Sequence, residues 1–546
     1  NKPLRNRGTG RTHAKSGCRT CKIRKIKCDE GRPACRRCVS TGRVCDGYGV
    51  WGGGGDFYAH GRRSLISKDT CLPTWEPANV PITAGNADEK FYFDWFRFRT
   101  VKKIPGAFVL TFWETLIFQA TMSEPAVLHA VLTLSSVHKR DIVSSDDERR
   151  SIGSPDEQEQ FTLQHYTNAI RHLRPHFSTR DLASVRVALI SCFIFVCLEF
   201  LRGHFRTAQG HLESGLNVLR ELQFSSCAEG IFAWKPSRNS IDDCIITAFS
   251  RLHTQVELFK HSYQHPFEAL QLSQAELAVS TFHSVNQAWQ QIERLLNKIF
   301  HLTEQVRRQH ISNNASPDGR SALLGHQQQI QAELAQWLGA FEESGDMLQS
   351  QDPEWIRSGL LRVHHTMASI MADVCLSQDD ESIFDSHTGQ FVLLINQSVD
   401  MWKVGSSRAL PGHWMDMSRS LVDIGWISPL YYTALRCRIH RVRLQAIRLL
   451  ETASHREGIW DSKIASCVAR QVMKIEERDC YEDLAKADDF PLSSSPSPQD
   501  LSLPILPQFH RVHEVKVALS DGPTDSVILS YRQTAAGWKD VRVAVR

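Results

Sequence analysis

The sequence predicts a small cysteine-rich module at the front of the chain, a large all-α body behind it and a small β element at the end. Three observations carry this. Six cysteines fall in a doubled spacing between residues 18 and 45, apolar residues recur at helical spacing through most of residues 91–487, and apolar and polar residues alternate after residue 511.

The 546-residue chain exceeds what one hydrophobic core holds, about 250–300 residues, so at least two folded units are expected. Its 42% hydrophobic and 23% charged residues are ordinary for a globular protein and name no activity. The net charge of +4 hides an asymmetry. Residues 1–45 hold 14 Lys or Arg against Asp29 and Glu30, a balance of +12, which leaves −8 for the rest of the chain. A basic arm over residues 1–17 and a basic module over 18–45, on a mildly acidic body, call for a polyanion, of which nucleic acid is the commonest. The start is polar and basic without an apolar h-region, so an intracellular protein is expected. The longest uncharged apolar run, Val187 to Leu198, has 12 residues, short of the roughly 20 that span a bilayer, and reads as a buried core helix.

Residues 46–90 are rich in Gly, Pro and isolated aromatics, with Gly52 to Gly55 unbroken, and read as a flexible linker. Gly47, Gly49 and Gly52 satisfy G-x-G-x-x-G, but no apolar strand precedes them and more glycines follow where a helix would begin, which argues against a nucleotide loop. In the body, Val127, Ala130, Val131, Leu134 and Val137 form a helical stripe. Ser154 and Glu157 fit a capping box with Pro155 at the first helical position. Further helices are expected near 106–120, 157–173, 181–201, 203–222, 283–310, 325–345, 355–376, 388–402, 430–452 and 460–485. Val143 to Gln158 and Ser312 to Arg320 read as loops, and the Ser/Pro-rich residues 488–510 as a second linker. Val512 to Leu519, Val527 to Tyr531 and Val541 to Val545 then read as strands around Asp521-Gly522, within a β element over 511–546.

Cys18, Cys21, Cys28, Cys35, Cys38 and Cys45 spell Cys-x2-Cys-x6-Cys twice. Nine further cysteines are scattered singly, most in apolar surroundings such as those of Cys192 and Cys197, where a small buried hydrophobe is the expected role. A Cys-x2-Cys pair places two thiolates on one tetrahedral zinc, but two four-coordinate ions need eight ligands where six thiolates are present, so two sulfurs must bridge. The resulting cluster carries about −2, which Lys22, Arg24, Lys25, Lys27, Arg36 and Arg37 offset while favouring thiolate over thiol. Disulfides do not suit an intracellular chain, a [4Fe–4S] site needs only four thiolates, and a metal buffer needs no such density of basic residues. The cofactor expected is two Zn²⁺.

The run from Cys18 through Cys21 and Cys28 to Asp29, with Pro33 before Cys35, closely resembles the Zn2Cys6 binuclear-cluster domain of fungal transcription factors. The resemblance implies that Cys18 and Cys35 bridge the ions, that Cys21 and Cys28 complete one zinc and that Cys38 and Cys45 complete the other. It places the base-contacting pair on Arg24 and Lys25 and implies CGG-type triplets read in the major groove, in genes transcribed by RNA polymerase II. Lys22 and Lys27 lie in the same basic segment, and Arg5, Arg7, Arg11 and Lys15 of the preceding arm are expected at phosphates. Residues 91–480 are similar to the helical regulatory region of one branch of these factors, through Phe91 to Arg99, Phe112-Trp113, Ser123 to Val127, His129 to Val131 and His138. The implied partners are double-stranded DNA and the transcription machinery, with no membrane, and the implied location is the nucleus. Many members follow the cluster with a heptad coiled coil. The Gly-rich linker shows no a/d repeat, so a homodimer would have to form without it.

Two other classes compete with this reading. A catalytic body finds no support in an HExxH, G-x-S-x-G or G-x-x-x-x-G-K-[ST] motif, so no enzyme is expected. A protein-interaction module would make the basic segment a solvated face. His129, His138, His364 and His365 are expected to be surface or satisfied core histidines without a ligand role, and Phe91, Phe93, Trp95, Phe96 and Phe98 to be core anchors.

Overall fold

The computed structural model describes Cys21, residues 26–29 and 36–40, and then residues 86–144, 157–225, 241–260, 280–312, 317–348, 354–407, 422–452, 456–481 and 489–545, apart from short gaps within these ranges. Residues 46–85 of the expected linker, the capping box at Ser154 and Pro155, and most of the basic segment lie outside the described residues, whereas residues 87–90, expected in that linker, are already helical because Asn86 caps them by accepting the Glu89 N–H at 2.8 Å.

The body is helical, and its centre is α6 (Leu182–Arg202), which contains the apolar run singled out above. On length and composition alone this helix could cross a bilayer, but most of its surface is buried inside the protein. Asp181 starts it by accepting the backbone N–H of Ser184 at 2.9 Å. Gly203 ends it in the left-handed region, φ 74°, where a side chain would be strained. Helices α4 (Pro125–Ser144), α5 (Glu157–Ser178) and α7 (Phe205–Ser225) pack around it. Arg186 of α6 makes a bidentate pair, 2.7 and 2.6 Å, with Asp242 at the start of α8 (Ile241–Lys260).

Ahead of these helices, α2 (Ala87–Trp95) runs into a π-helical turn at Phe96–Thr100, and a second π turn at Phe112–Leu116 leads into α3 (Ile117–Ser123). The helix expected over 106–120 therefore begins later, because the chain turns through residues 104–107. Phe93 and Phe96 are buried anchors, whereas Phe91 and Phe98 are 47% and 52% exposed, a correction to the expectation that all five aromatics are core. Those two rings lie under cations instead, Lys139 over Phe91 and Arg97 over Phe98.

A second group comprises α9 (Val285–Ser312), α10 (Pro317–Glu343), α11 (Glu354–Val374) and α12 (Thr388–Ser407). Trp337 of α10 donates its indole N–H to the Ala288 carbonyl of α9 at 2.9 Å and stacks on His365 of α11. The loop expected over Ser312 to Arg320 is shorter than the composition suggests, since Pro317 opens α10 as a first-turn proline can.

The single helix expected over 430–452 is two, α13 (Ile427–Arg436) and α14 (His440–Thr452), followed by α15 (Ser462–Glu477). No Pro or Gly marks the break. Arg438 and Arg443 donate to the carbonyls of Leu435 and Ala434, satisfying the end of α13 with side chains from beyond it. Between α14 and α15 a hairpin, β1 (Arg456–Glu457) with β2 (Trp460–Asp461), turns at Gly458 with φ 58°.

The terminal β element is a three-stranded antiparallel meander of β3 (Glu514–Ala518), β4 (Ser526–Arg532) and β5 (Lys539–Ala544). Val515 pairs Tyr531 and Val527 pairs Val543, so one face is apolar and buried. Two polar anchors dock it. The Val512 N–H donates to Glu476 at 2.7 Å, and Asp521 caps α7 by accepting the N–H groups of Arg206 and Thr207 at 2.9 and 3.2 Å. Ahead of the sheet, Phe490 to Ser494 lies against α14: Gln445 donates to the Leu492 and Ser494 carbonyls.

Candidate metal centre and nucleic-acid interface

Within the cysteine-rich segment, Cys21 is helical and completely buried, and Cys28 is half-buried seven residues on. The Ile26 N–H donates to the Cys21 carbonyl at 3.1 Å. Asp29, directly after Cys28, accepts the backbone N–H groups of Arg36 at 2.9 Å and Arg37 at 3.0 Å. It thus starts the short helix α1 (Arg36–Val39), in which Cys38 sits. Cys21 and Cys38 hold equivalent places in the two spacing repeats, and both have helical backbone. Cys18, Cys35 and Cys45, and the side chain of Cys38, lie outside the described residues.

This arrangement suits a thiolate-held metal. A fully buried Cys in so short a segment has little apolar core to rest on, and the carboxylate bridge joins the two repeats where a shared cluster would require it. The cysteines of the body contrast with it. Burial pushes the thiols of Cys192, Cys244 and Cys375 up to about 12 and that of Cys437 to about 11, so they remain protonated packing groups.

Of the basic residues, Lys27, Arg36 and Arg37 are exposed, as a polyanion-binding face requires. Lys22, Arg24, Lys25, Arg7, Arg11 and Lys15 lie outside the described residues. The capping role of Asp29 was not apparent from sequence. An N-cap is sought immediately before a helix, and Asp29 reaches α1 from seven residues away in the sequence.

The body concentrates its polar chemistry in structural ties. Arg251 of α8 reaches Asp423 at 2.7 Å, Glu293 of α9 at 3.4 Å and the Phe108 carbonyl at 2.7 Å. Burial raises Glu293 to about 7 and Asp423 to about 6 against the pull of that guanidinium. Glu476 is buried between Arg438 and Arg443, at 2.8 and 2.6 Å. Against the burial that would raise it, the two cations hold its carboxyl below the usual range. His138 bonds to Thr100 at 3.0 Å, His364 donates to the Gly425 carbonyl at 2.7 Å and His365 to the Leu334 carbonyl at 3.0 Å, so these three are core histidines, although His138 Nε2 and His364 Nδ1 are buried without a hydrogen-bond partner among the described residues.

Residues 16–50 match the fungal Zn(2)-Cys(6) binuclear cluster domain. The chain belongs with the fungal Zn2Cys6 transcription factors. As a Zn2Cys6 factor it is a zinc-binding, DNA-binding transcription regulator. It is 23% identical to the aspercryptin biosynthesis cluster-specific transcription regulator of Emericella nidulans, over 85% of this chain and 88% of the relative. Its likeness to transcription regulator lscL of Purpureocillium lilacinum is 29% over 37% of this chain and 48% of that relative. Transcriptional regulatory protein moc3 of Schizosaccharomyces pombe matches at 56% identity over 34 residues, 6% of this chain. No solved structure matches the chain.

Proposed function

We propose that the chain holds two Zn²⁺ through Cys18, Cys21, Cys28, Cys35, Cys38 and Cys45, and reads CGG-type triplets in the major groove through Arg24 and Lys25. Bound zinc supplies no reaction here; it fixes the thiolates and so the fold of a segment too short to hold itself. Arg24 and Lys25 lie between two of the cysteines, where a zinc-fixed backbone would hold their donors against the O6 and N7 acceptors of guanine. Lys22 and Lys27 flank them, and Arg7, Arg11 and Lys15 in the preceding arm contact phosphates without regard to sequence. The observation that carries this reading is the bridge from Asp29 to α1, which makes one unit of the two cysteine repeats and leaves Lys27, Arg36 and Arg37 exposed on it.

The helical body is regulatory rather than catalytic, and the protein acts in the nucleus on genes transcribed by RNA polymerase II, as a homodimer without a coiled coil or as a monomer. Likeness along most of the chain to a cluster-specific regulator supports clustered biosynthetic genes as the target class. Selection of duplexes from a random pool by the zinc-loaded full chain, together with genome-wide mapping of bound sites, tests the reading. Enrichment of CGG triplets is expected. Retention of DNA without sequence preference would refute the base-reading assignment.

A further inference from the structure

Three helices of the body converge on a cluster of metal-ligating side chains far in sequence from the cysteine segment. Glu89 stands at the third position of α2, fixed there because its own N–H donates to the capping Asn86 at 2.8 Å. His129 lies in the second turn of α4 and His165 in the middle of α5. One ligand atom from each of the three lies within 4.8 Å of the other two. His165 is 2% exposed and stands between its neighbours, its Nδ1 2.9 Å from His129 Nδ1 and its Nε2 3.8 Å from Glu89 Oε1.

We propose that Glu89, His129 and His165 form a second metal site, of the zinc class, that clamps α2, α4 and α5 together. Zn²⁺ takes imidazole nitrogen and carboxylate oxygen at about 2.0–2.2 Å, which sets ligand atoms roughly 3.3–3.5 Å apart around a tetrahedron. One ion takes one nitrogen of each ring: the facing Nδ1 atoms are 2.9 Å apart, Glu89 Oε1 lies 3.8 Å from the other His165 nitrogen, and with one ligand atom of each residue within 4.8 Å of the other two, a rotation of the Glu89 side chain towards the Nδ1 pair brings all three groups onto one ion. The two Nδ1 atoms face each other, and a single proton can lie between them. A cation would instead accept both lone pairs, and Glu89 would supply a compensating negative charge. Two His and one Glu leave a fourth tetrahedral position for water, and the half-buried His129 and Glu89 give an ion a way in.

The surroundings hold these ligands in place. Phe161 stacks on His165 with ring centroids 4.1 Å apart, and Tyr92 lies on Phe161 at 4.3 Å. The His172 ring, two turns along α5, stacks against His129 at 5.4 Å. The competing account is a polar seam in which the same Glu and two His share protons and no ion binds.

Metal analysis of the full chain separates the two. With all six cysteines of the 18–45 segment changed to Ser, the chain saturated with Zn²⁺ and freed of excess retains one ion. His165→Asn and Glu89→Gln in that background each abolish it while circular dichroism shows the helices intact. Zn²⁺ raises the melting temperature of the six-serine chain and not that of the His165→Asn form. In the chain with its cysteines present, His129→Gln lowers the bound metal by one ion. Zero ions on the six-serine chain with native helicity, or one ion that survives both His165→Asn and Glu89→Gln, overturns the site. If the six-serine chain loses its helicity, an unchanged metal count in His129→Gln overturns it equally. Neither result bears on whether the cysteine segment binds zinc or DNA.

Discussion

Asp29 and Arg36 are joined by a 2.9 Å hydrogen bond from the Arg36 backbone to the Asp29 carboxylate, which makes the residue after Cys28 the cap of the helix that contains Cys38. Loss of such a cap costs about 1 kcal/mol, and Asn caps about as well as Asp. Asp29→Ala is therefore expected to weaken zinc retention by the segment roughly fivefold in a chelator competition, with Asp29→Asn close to the parent. Equal losses from both variants would show that charge, not capping, is what Asp29 supplies.

Residues 1–50 alone should bind two Zn²⁺ and be unfolded without them, because the segment has too little apolar surface to order itself. Metal analysis and circular dichroism on the peptide check this. A stable metal-free fold would contradict it.

Base reading and phosphate contact differ in their salt and sequence dependence. Lys25→Ala should cost roughly 1–3 kcal/mol on a CGG-containing duplex and reduce discrimination against mutated triplets. Arg7→Ala should weaken all duplexes alike and lower the salt slope by at most about 0.9 for each phosphate it no longer neutralises. Titrations at several salt concentrations, with zinc content checked, distinguish them. Equal weakening on CGG and scrambled duplexes by Lys25→Ala would remove Lys25 from the reading pair.

Glu457 accepts the backbone N–H groups of Gly425 at 2.9 Å, Trp426 at 2.9 Å and Ile427 at 3.2 Å, all buried at the start of α13. Glu457→Ala leaves these donors without an acceptor, each worth about 1–3 kcal/mol, so a loss of at least about 3 kcal/mol is expected in denaturant titration. A change below about 1 kcal/mol would mean that water takes over the cap.

His364 is neutral in the fold: burial lowers it to about 4, although its bond to Gly425 and the nearby Glu457 both act to raise it. Below about 6.5 the unfolded chain binds a proton that the folded chain refuses until about pH 4, so the stability this residue contributes is present above 6.5 and lost between those values. The raised carboxyls of Glu293 and Asp423 act in the opposite sense, so the informative quantity is a difference between variants. Relative to His364→Gln, the parent should lose about 2 kcal/mol between pH 7 and pH 5. Parallel stability curves for the two proteins would show that His364 is charged in the fold. Burial, with Lys103 adding to it, holds His138 at about 3, and His138→Gln should behave alike.

How much was legible varied with the kind of information needed. Helices with an apolar stripe, such as α4 and α9, and the continuously apolar α6 were readable because their pattern is written along the chain itself. Helix α8 escaped because its inward face includes Arg251, Thr254 and Gln255, polar residues that become core only through partners on other segments. The break between α13 and α14 escaped because the groups that cap it are guanidiniums from residues 438 and 443, not a local Gly or Pro.

The sequence alone determined the metal chemistry and the function class, since ligand number, spacing and basic density are properties of a short contiguous stretch. It also determined the helical character of the body and the strands at its end, whose periods are written locally, while the structure showed that these strands pair as a meander. The tertiary structure decided what depends on residues distant in the chain. It set Asp29 beneath α1, Asp521 on the start of α7, Glu457 on α13, and His129 against His165. Each of these is a pairing of side-chain directions that exists only once separate helices have packed, and no periodicity in one helix encodes the partner on another.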